Sequence, residues 1–262
     1  MGYFRDSRRI VVKVGTSTLT HTTGHLNLRR IETLVKVLSD MKNSGIQVVL
    51  VSSGAVSAGV AKVGFGRIPS TPEEKQAMAA IGQSELMKLY DRLFSDYGHT
   101  VAQILMTKDV LTNPTRRSAA ENTFNRLLEM RCIPIVNEND SVSTDELTKF
   151  GGNDILSAYV AQICRADVLL NLSDVDGLYD SDPRSNPNAK LIDRVDDIDV
   201  MMASAGGAGT DRGTGGMIAK LQAAKLVVDE GIPMFIMNGH DPELLYTLLD
   251  GGHVGTYFTV KK

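Results

Sequence analysis

An α/β fold, with a largely parallel sheet and helices on both its faces, is predicted by three features of the sequence. Six short apolar runs recur along the chain, helix-period segments lie between them, and Gly, Ser, Asn and Asp gather where the apolar runs end. That rhythm is the signature of βαβ units, whose ligands lie beyond the carboxyl ends of the strands. The strand candidates are residues 10–14, 46–51, 101–106, 133–136, 168–172 and 233–237. Between them, Leu28, Ile31, Leu34, Val35, Leu38 and Met41 fall at helical spacing, as do Leu86, Leu89, Leu93 and Phe94, and then Phe124, Leu127 and Leu128. The turn-rich stretch 180–190 reads as a surface excursion or hairpin within the domain, and 203–216 as a mobile loop.

Composition bounds the function. A chain of 262 residues, 42% hydrophobic, can bury a substantial core, and one domain spanning 1–262 is expected. The 31 acidic and 28 basic residues nearly balance, so the chain lacks the electrostatic footprint of a nucleic-acid or membrane binder. The start of the chain is short and charged before a strand-length apolar run, and 48–61 is too short and too rich in Ser and Gly to span a bilayer. A cytoplasmic protein with a small-molecule partner is expected. Cys132 and Cys164 sit in apolar surroundings without CxxC or CxxH spacing and read as buried thiols of a reducing compartment.

Two glycine-associated lysines carry the strongest chemical signal. In GTGGMIAKLQAAKLVVDEG, 213–231, a glycine-rich turn runs into an amphipathic helix bearing Lys220. Glycines admit close approach of backbone N–H groups to a phosphate, and helix N-terminus and lysine both add positive charge. In VVKVGTST, Lys13 and Gly15 end a strand, although such a lysine taken alone is more often plain surface. VSSGAVSAG ends a strand in Ser52, Ser53 and Gly54, equally the makings of a capped turn or an anion contact. PIVNENDSV, followed by STDE, packs Asn137, Glu138, Asn139, Asp140, Asp145 and Glu146 into ten residues. Its amides and carboxylates suit the carboxylate and ammonium of an amino acid. FGGNDILSA sets Asn153 and Asp154 at a helix start, and SDVDGLYDSDPRSNP follows a strand with Ser173, Asp174 and Asp176.

Rival chemistries lack their motifs. GxGxxG, GxxxxGK[ST], HExxH and GxSxG are all missing, and the one HxxxH is interrupted by Gly24. With no Trp and 5% aromatic residues, a stacking platform for single-stranded nucleic acid is not supported.

Together and in this order, VVKVGTS, VSSGAVSAG, PIVNENDSV, FGGNDILSA, SDVDGLYDSDPRSNP and GTGGMIAKLQAA resemble the amino-acid kinase family, and within it the branch that phosphorylates glutamate as the first step of proline synthesis. The likeness runs from about Ile10 to Phe258. It implies a three-layer α/β/α sandwich with an open, mainly parallel sheet. It also implies that Lys13 and Lys220 flank the phosphoryl in flight and that Asp154 orients them. Ser53, Gly54, Asp140 and Asn153 would bind L-glutamate, while Lys13, Ser173, Asp174, Thr214, Gly215, Gly216, Met217, Ile218, Ala219 and Lys220 would hold ATP. Mg²⁺ would accompany the nucleotide, with no dedicated protein metal site. The partners implied are L-proline as feedback inhibitor, a downstream glutamyl phosphate reductase, and further copies of the chain in a homo-oligomer.

Departures from the family pattern are Ser173 for a frequent Thr, Ala219 where a hydroxyl residue often precedes the lysine, and Arg212 as an added charge. The chain stops at Lys262, after GTYF, where many members continue into a small RNA-binding-like PUA domain; none is expected here. Sibling kinases acting on N-acetylglutamate, aspartate, carbamate or a nucleoside monophosphate are the nearest alternatives, against which the NENDSV loop argues. A non-catalytic amino-acid sensor on the same fold is a further one, against which the presence of both lysines argues.

Overall fold

The computed structural model describes residues 7–142, 152–181, 183, 185–206 and 214–260, without the side chains of 204–206, 214 and 215. Asp145, Glu146, Arg212 and Gly213 lie outside the described residues. The chain runs β1 (Arg9–Val14), α1 (Thr16–Leu19), α2 (Leu28–Asn43), β2 (Gln47–Ser52), α3 (Ala55–Val63), α4 (Pro72–Ser95), β3 (Val101–Met106), α5 (Lys108–Thr112), α6 (Pro114–Glu129), β4 (Ile133–Glu138), α7 (Gly152–Ile163), β5 (Val168–Ser173), β6 (Arg194–Val195), α8 (Ile198–Gly206), α9 (Thr214–Val228), β7 (Met234–Asn238), α10 (Leu244–Leu249) and β8 (Thr256–Phe258).

The strands form one sheet in the order β3-β4-β2-β1-β5-β7-β8-β6. Its pairings are parallel except β7 with β8. The chain leaves β1 toward β2, β4 and β3, then returns to lay β5 on the other side of β1, so the direction of winding reverses between β1 and β5. In sheets of this kind that reversal opens a crevice at the carboxyl ends of the strands.

Period-2 alternation assigns each strand residue to a helix layer. Ile10, Val12 and Val14 pack with Leu34 and Leu38 of α2, Tyr90 of α4 and Leu245 of α10. Val11 packs with Ala158 of α7 and Leu221 of α9. Lys13 therefore belongs to the α7 side of the sheet, as does Asn171 on β5, where Leu169 is the apolar member of the same face. Helix starts follow local chemistry: Asn27 caps α2 by accepting from the Arg30 N–H at 3.1 Å. Thr71 and Glu74 form a capping box at α4 with Pro72 at its first turn.

Two expectations need correction. Residues 203–206 and 214–216, read from sequence as parts of a loop, lie in α8 and α9. The glycines of GTGG at 215 and 216 thus belong to the first turn of the helix rather than to a turn before it. Residues 207–213, read as part of the same loop, lie outside the described residues. Leu28, read as part of a helix, is the first residue of α2 and is 48% exposed there. The 180–190 stretch is a hairpin, closed by the Tyr179–Leu191 bridge and by the Asp180 N–H donating to the Lys190 carbonyl at 3.0 Å. Cys132 and Cys164 are buried free thiols. Among the described residues no helix is long and apolar enough to cross a membrane.

Candidate active site

The reversal point of the sheet holds a charged centre. Lys13 and Asn171 are register partners across β1 and β5, so both side chains rise toward α7. There they meet Asp154, in that helix's first turn. Lys13 Nζ lies 2.6 Å from Asp154 Oδ1, and Asn171 Nδ2 donates to the same oxygen at 2.7 Å. Lys220, in the second turn of α9, reaches Asp154 Oδ2 at 3.4 Å and its own helix's Gly216 carbonyl at 3.4 Å. All four side chains are buried: Lys13 is 5%, Asp154 8%, Lys220 9% and Asn171 0% exposed.

Two ammonium groups thus share one carboxylate, leaving a buried excess of positive charge. Burial would raise the Asp154 pKa, but the two lysine charges and the hydrogen bonds from Lys13 and Asn171 outweigh it and hold the carboxyl below its ordinary value. For Lys13 burial dominates, with the Lys220 charge adding to it and Asp154 opposing, so its pKa is lowered. A centre of this kind attracts an anion and can stabilise charge crowded between two anions.

On the other side of β1, the ends of β2 and β4 carry a neutral network. Asn153 Nδ2 donates to Ser53 Oγ at 2.8 Å, to the Asn137 Oδ1 at 2.9 Å and to the Ser52 carbonyl at 3.3 Å. Asn137 Nδ2 in turn donates to Gln83 Oε1 at 2.9 Å. Gln83 is held there by a backbone-to-backbone crossing of α3 and α4. A Cβ on Gly82 would stand 1.8 Å from the Ala55 carbonyl oxygen, and one on Gly59 1.9 Å from that of Met78. Gly54 starts α3 at φ 99°, the left-handed region open to glycine, which turns the chain sharply after Ser53. Buried Tyr90 and Ser52 add a hydroxyl contact at 2.8 Å beneath the network.

A cleft of about 580 Å³ opens beside this network, lined by Gln83, Ala55, Glu138, Asn139 and Asp140 among others. Burial and the neighbouring Glu138 push the Asp140 carboxyl up to about 6. Beyond the lysines, Ser173 Oγ donates to Asp174 Oδ1 at 3.1 Å at the end of β5. The first turn of α9 has N–H groups that helix geometry leaves without intrahelical partners, and a Cβ on Gly216 would meet nothing within 4 Å among the described residues, so that backbone is open to close approach. Met217 and Ile218 are half-buried, and Ala219 is turned inward at 7% exposure.

The structure therefore brings Lys13, Asp154 and Lys220 into one contact group, and Ser53 and Asn153 into another. Sequence reasoning passed over Asn171 and Gln83, and took Asn137 only as one of a polar cluster. Asn171 left a signal: it is the one polar residue inside the buried run VLLNL. Gln83 left none, since a glutamine on a long helix is ordinary.

The sequence profile described as the Amino acid kinase family matches residues 8–238. The chain belongs to that family. Among its curated relatives, the glutamate 5-kinase of Clostridium perfringens (strain 13 / Type A) is 52% identical, covering 98% of this chain and 97% of the relative. The glutamate 5-kinase of Clostridium tetani (strain Massachusetts / E88) is 50% identical over 99% and 97%. That of Listeria innocua serovar 6a is 46% identical over 98% and 95%. Solved structures extend the likeness to fold. UMP kinase from Bacillus anthracis superposes with a TM-score of 0.68 at 20% identity, covering 98% of each chain. Isopentenyl phosphate kinase of T. acidophilum gives 0.63 at 17% identity, covering 95% of this chain and 99% of its own. The α/β/α sandwich of this amino acid kinase is thus shared with kinases named for quite different substrates.

Proposed function

We infer that this chain is a phosphotransferase that moves the γ-phosphoryl group of ATP to the γ-carboxylate of L-glutamate, giving L-glutamyl 5-phosphate and ADP, the first step of proline biosynthesis. The observation that carries phosphoryl transfer is the pair of buried lysines held 2.6 and 3.4 Å from the two oxygens of Asp154. Relatives about half identical over nearly their whole length, all named glutamate 5-kinase, support glutamate as the acceptor.

The chemistry asks little covalent work of the protein. A carboxylate is already ionised at neutral pH, so the acceptor needs no general base. The obstacle is repulsion between anions, and the enzyme answers it with position and charge. Lys13 and Lys220 flank the transferring phosphoryl, and Asp154 keeps both ammonium groups aimed at it. Thr214, Gly215 and Gly216 offer backbone N–H groups to the phosphates, Met217, Ile218 and Ala219 continue that wall, and Ser173 and Asp174 border the nucleotide. Mg²⁺ enters as part of the MgATP substrate, held by its phosphates and neutralising part of their charge. The excess positive charge of the lysine centre suits the anion that remains.

Ser53, Gly54 and Asn153 contact glutamate at the acceptor end, and Asp140 receives its ammonium. L-Proline, which shares glutamate's ammonium and α-carboxylate but lacks the acceptor carboxylate, competes with glutamate through that shared part, around Asp140. The acyl phosphate product hydrolyses readily, which favours a reductase consuming it nearby. The kinase is read as a single domain acting in the cytoplasm as a homo-oligomer.

The test is ADP release by purified protein with MgATP across a panel of acceptors, with hydroxylamine trapping the acyl phosphate. L-Glutamate is expected to give both ADP and hydroxamate. A stronger response to N-acetylglutamate, aspartate or carbamate would move the assignment to a sibling activity.

A further inference from the structure

Asn171 is an expensive residue for its place. It stands in the middle of the sheet, fully buried, at a position where the strand pattern calls for an apolar side chain. Burying an amide costs stability unless both its halves are hydrogen-bonded. Here one half is: Nδ2 donates to Asp154 Oδ1 at 2.7 Å, while the Asn171 Oδ1 has no partner among the described residues. Flipping the amide would set its carbonyl against the carboxylate, so Asp154 dictates the orientation. A half-satisfied amide does not serve folding.

Its value lies in which oxygen it binds. Asp154 Oδ1 is also the oxygen that Lys13 holds at 2.6 Å, whereas Lys220 is on Oδ2. In the resting structure Oδ1 has two donors and does not need the second. When Lys13, still aimed by Asp154, gives one of its three N–H donors to a phosphoryl group, its hold on the buried anionic oxygen weakens. An under-satisfied buried oxygen is costly, and the cost would be added to the barrier.

We propose that Asn171 is a positioning residue that holds Asp154 Oδ1 in place while Lys13 is shared between that oxygen and the moving phosphoryl group, and so lowers the barrier to transfer without touching either substrate. This rests on the phosphotransferase reading above.

The test is steady-state kinetics of Asn171→Leu, which keeps the branched four-atom shape of the side chain, though bulkier, and has no donor, with Asn171→Val as a smaller apolar strand former should the first overpack. Either variant is expected to lower kcat about tenfold or more, the worth of one hydrogen bond to a charged group, with both KM values within about twofold. Melting temperature should hold or rise, since a half-satisfied amide has gone. On a Lys13→Ala background the same substitution should have little further effect, because no lysine is left on that oxygen to be shared with the phosphoryl group. A kcat within twofold of wild type, a loss carried by KM, or a loss that adds in full to Lys13→Ala would overturn the proposal. If wild type itself gives no acceptor-dependent ADP, the functional reading fails instead, and the two failures cannot be confused.

Discussion

The two halves of the site differ in the kind of polarity they use. At the junction of β1, β5, α7 and α9, two ammonium groups and one carboxylate are buried together. At the ends of β2 and β4, the buried groups are amides and hydroxyls, with Glu138 and Asp140 the half-buried exceptions. Charge is concentrated where anions must be pressed together, and neutral hydrogen bonding where a substrate must only be held in one orientation. Groups of the first kind act chiefly in the transition state, while groups of the second act in ground and transition states alike.

The largest effect should come from the charged half. Lys13→Ala and Lys220→Ala are each expected to lower kcat by about 10²-fold or more, measured by ADP release at saturating glutamate and MgATP. Near wild-type turnover in either would break the contrast at once. Next comes the scaffold of the neutral half. Gly82→Ala would drive a Cβ into the Ala55 carbonyl, and overpacking of that kind costs about 1–3 kcal/mol or more. A lowered melting temperature together with a raised KM for glutamate is expected, since the crossing of α3 and α4 positions Gln83.

Within the network itself, Asn137→Ala removes the link between Gln83 and Asn153 and should raise the glutamate KM about tenfold while leaving kcat within a few-fold. A pure kcat loss would mean that the network belongs to the charged half after all.

The smallest effect concerns Asp140, with its carboxyl raised to about 6 by burial and Glu138. Its ionised form binds an ammonium, so the glutamate KM should rise as pH falls through about 6, and this dependence should vanish in Asp140→Ala. The stability sign is opposite. A raised carboxyl pKa favours the folded protein below the ordinary Asp value and loses that contribution as pH rises through 6, so Asp140→Asn should melt higher than wild type at pH 8 but not at pH 4.

The same contrast explains what was legible in the sequence. Lys13, Lys220 and Asp154 could be read because glycines and small residues punctuate the chain around them, and six strands could be read because five or six consecutive residues keep their pattern. β6 and β8, two and three residues long, are too short to show a period, and they form because their neighbours β7 and the 180–190 hairpin bring them to the sheet edge. Asn171 and Gln83 escaped because their roles depend on partners 17 and 54 residues away, through contacts that no local pattern encodes.

The division of labour is tested most directly by calorimetric titration of L-glutamate into wild-type protein and into Lys220→Ala. The account predicts that the variant, though nearly inactive, binds glutamate with a Kd within about threefold of wild type. A Kd weakened in step with the lost turnover would contradict it, because the lysine centre would then be holding the substrate rather than the transition state.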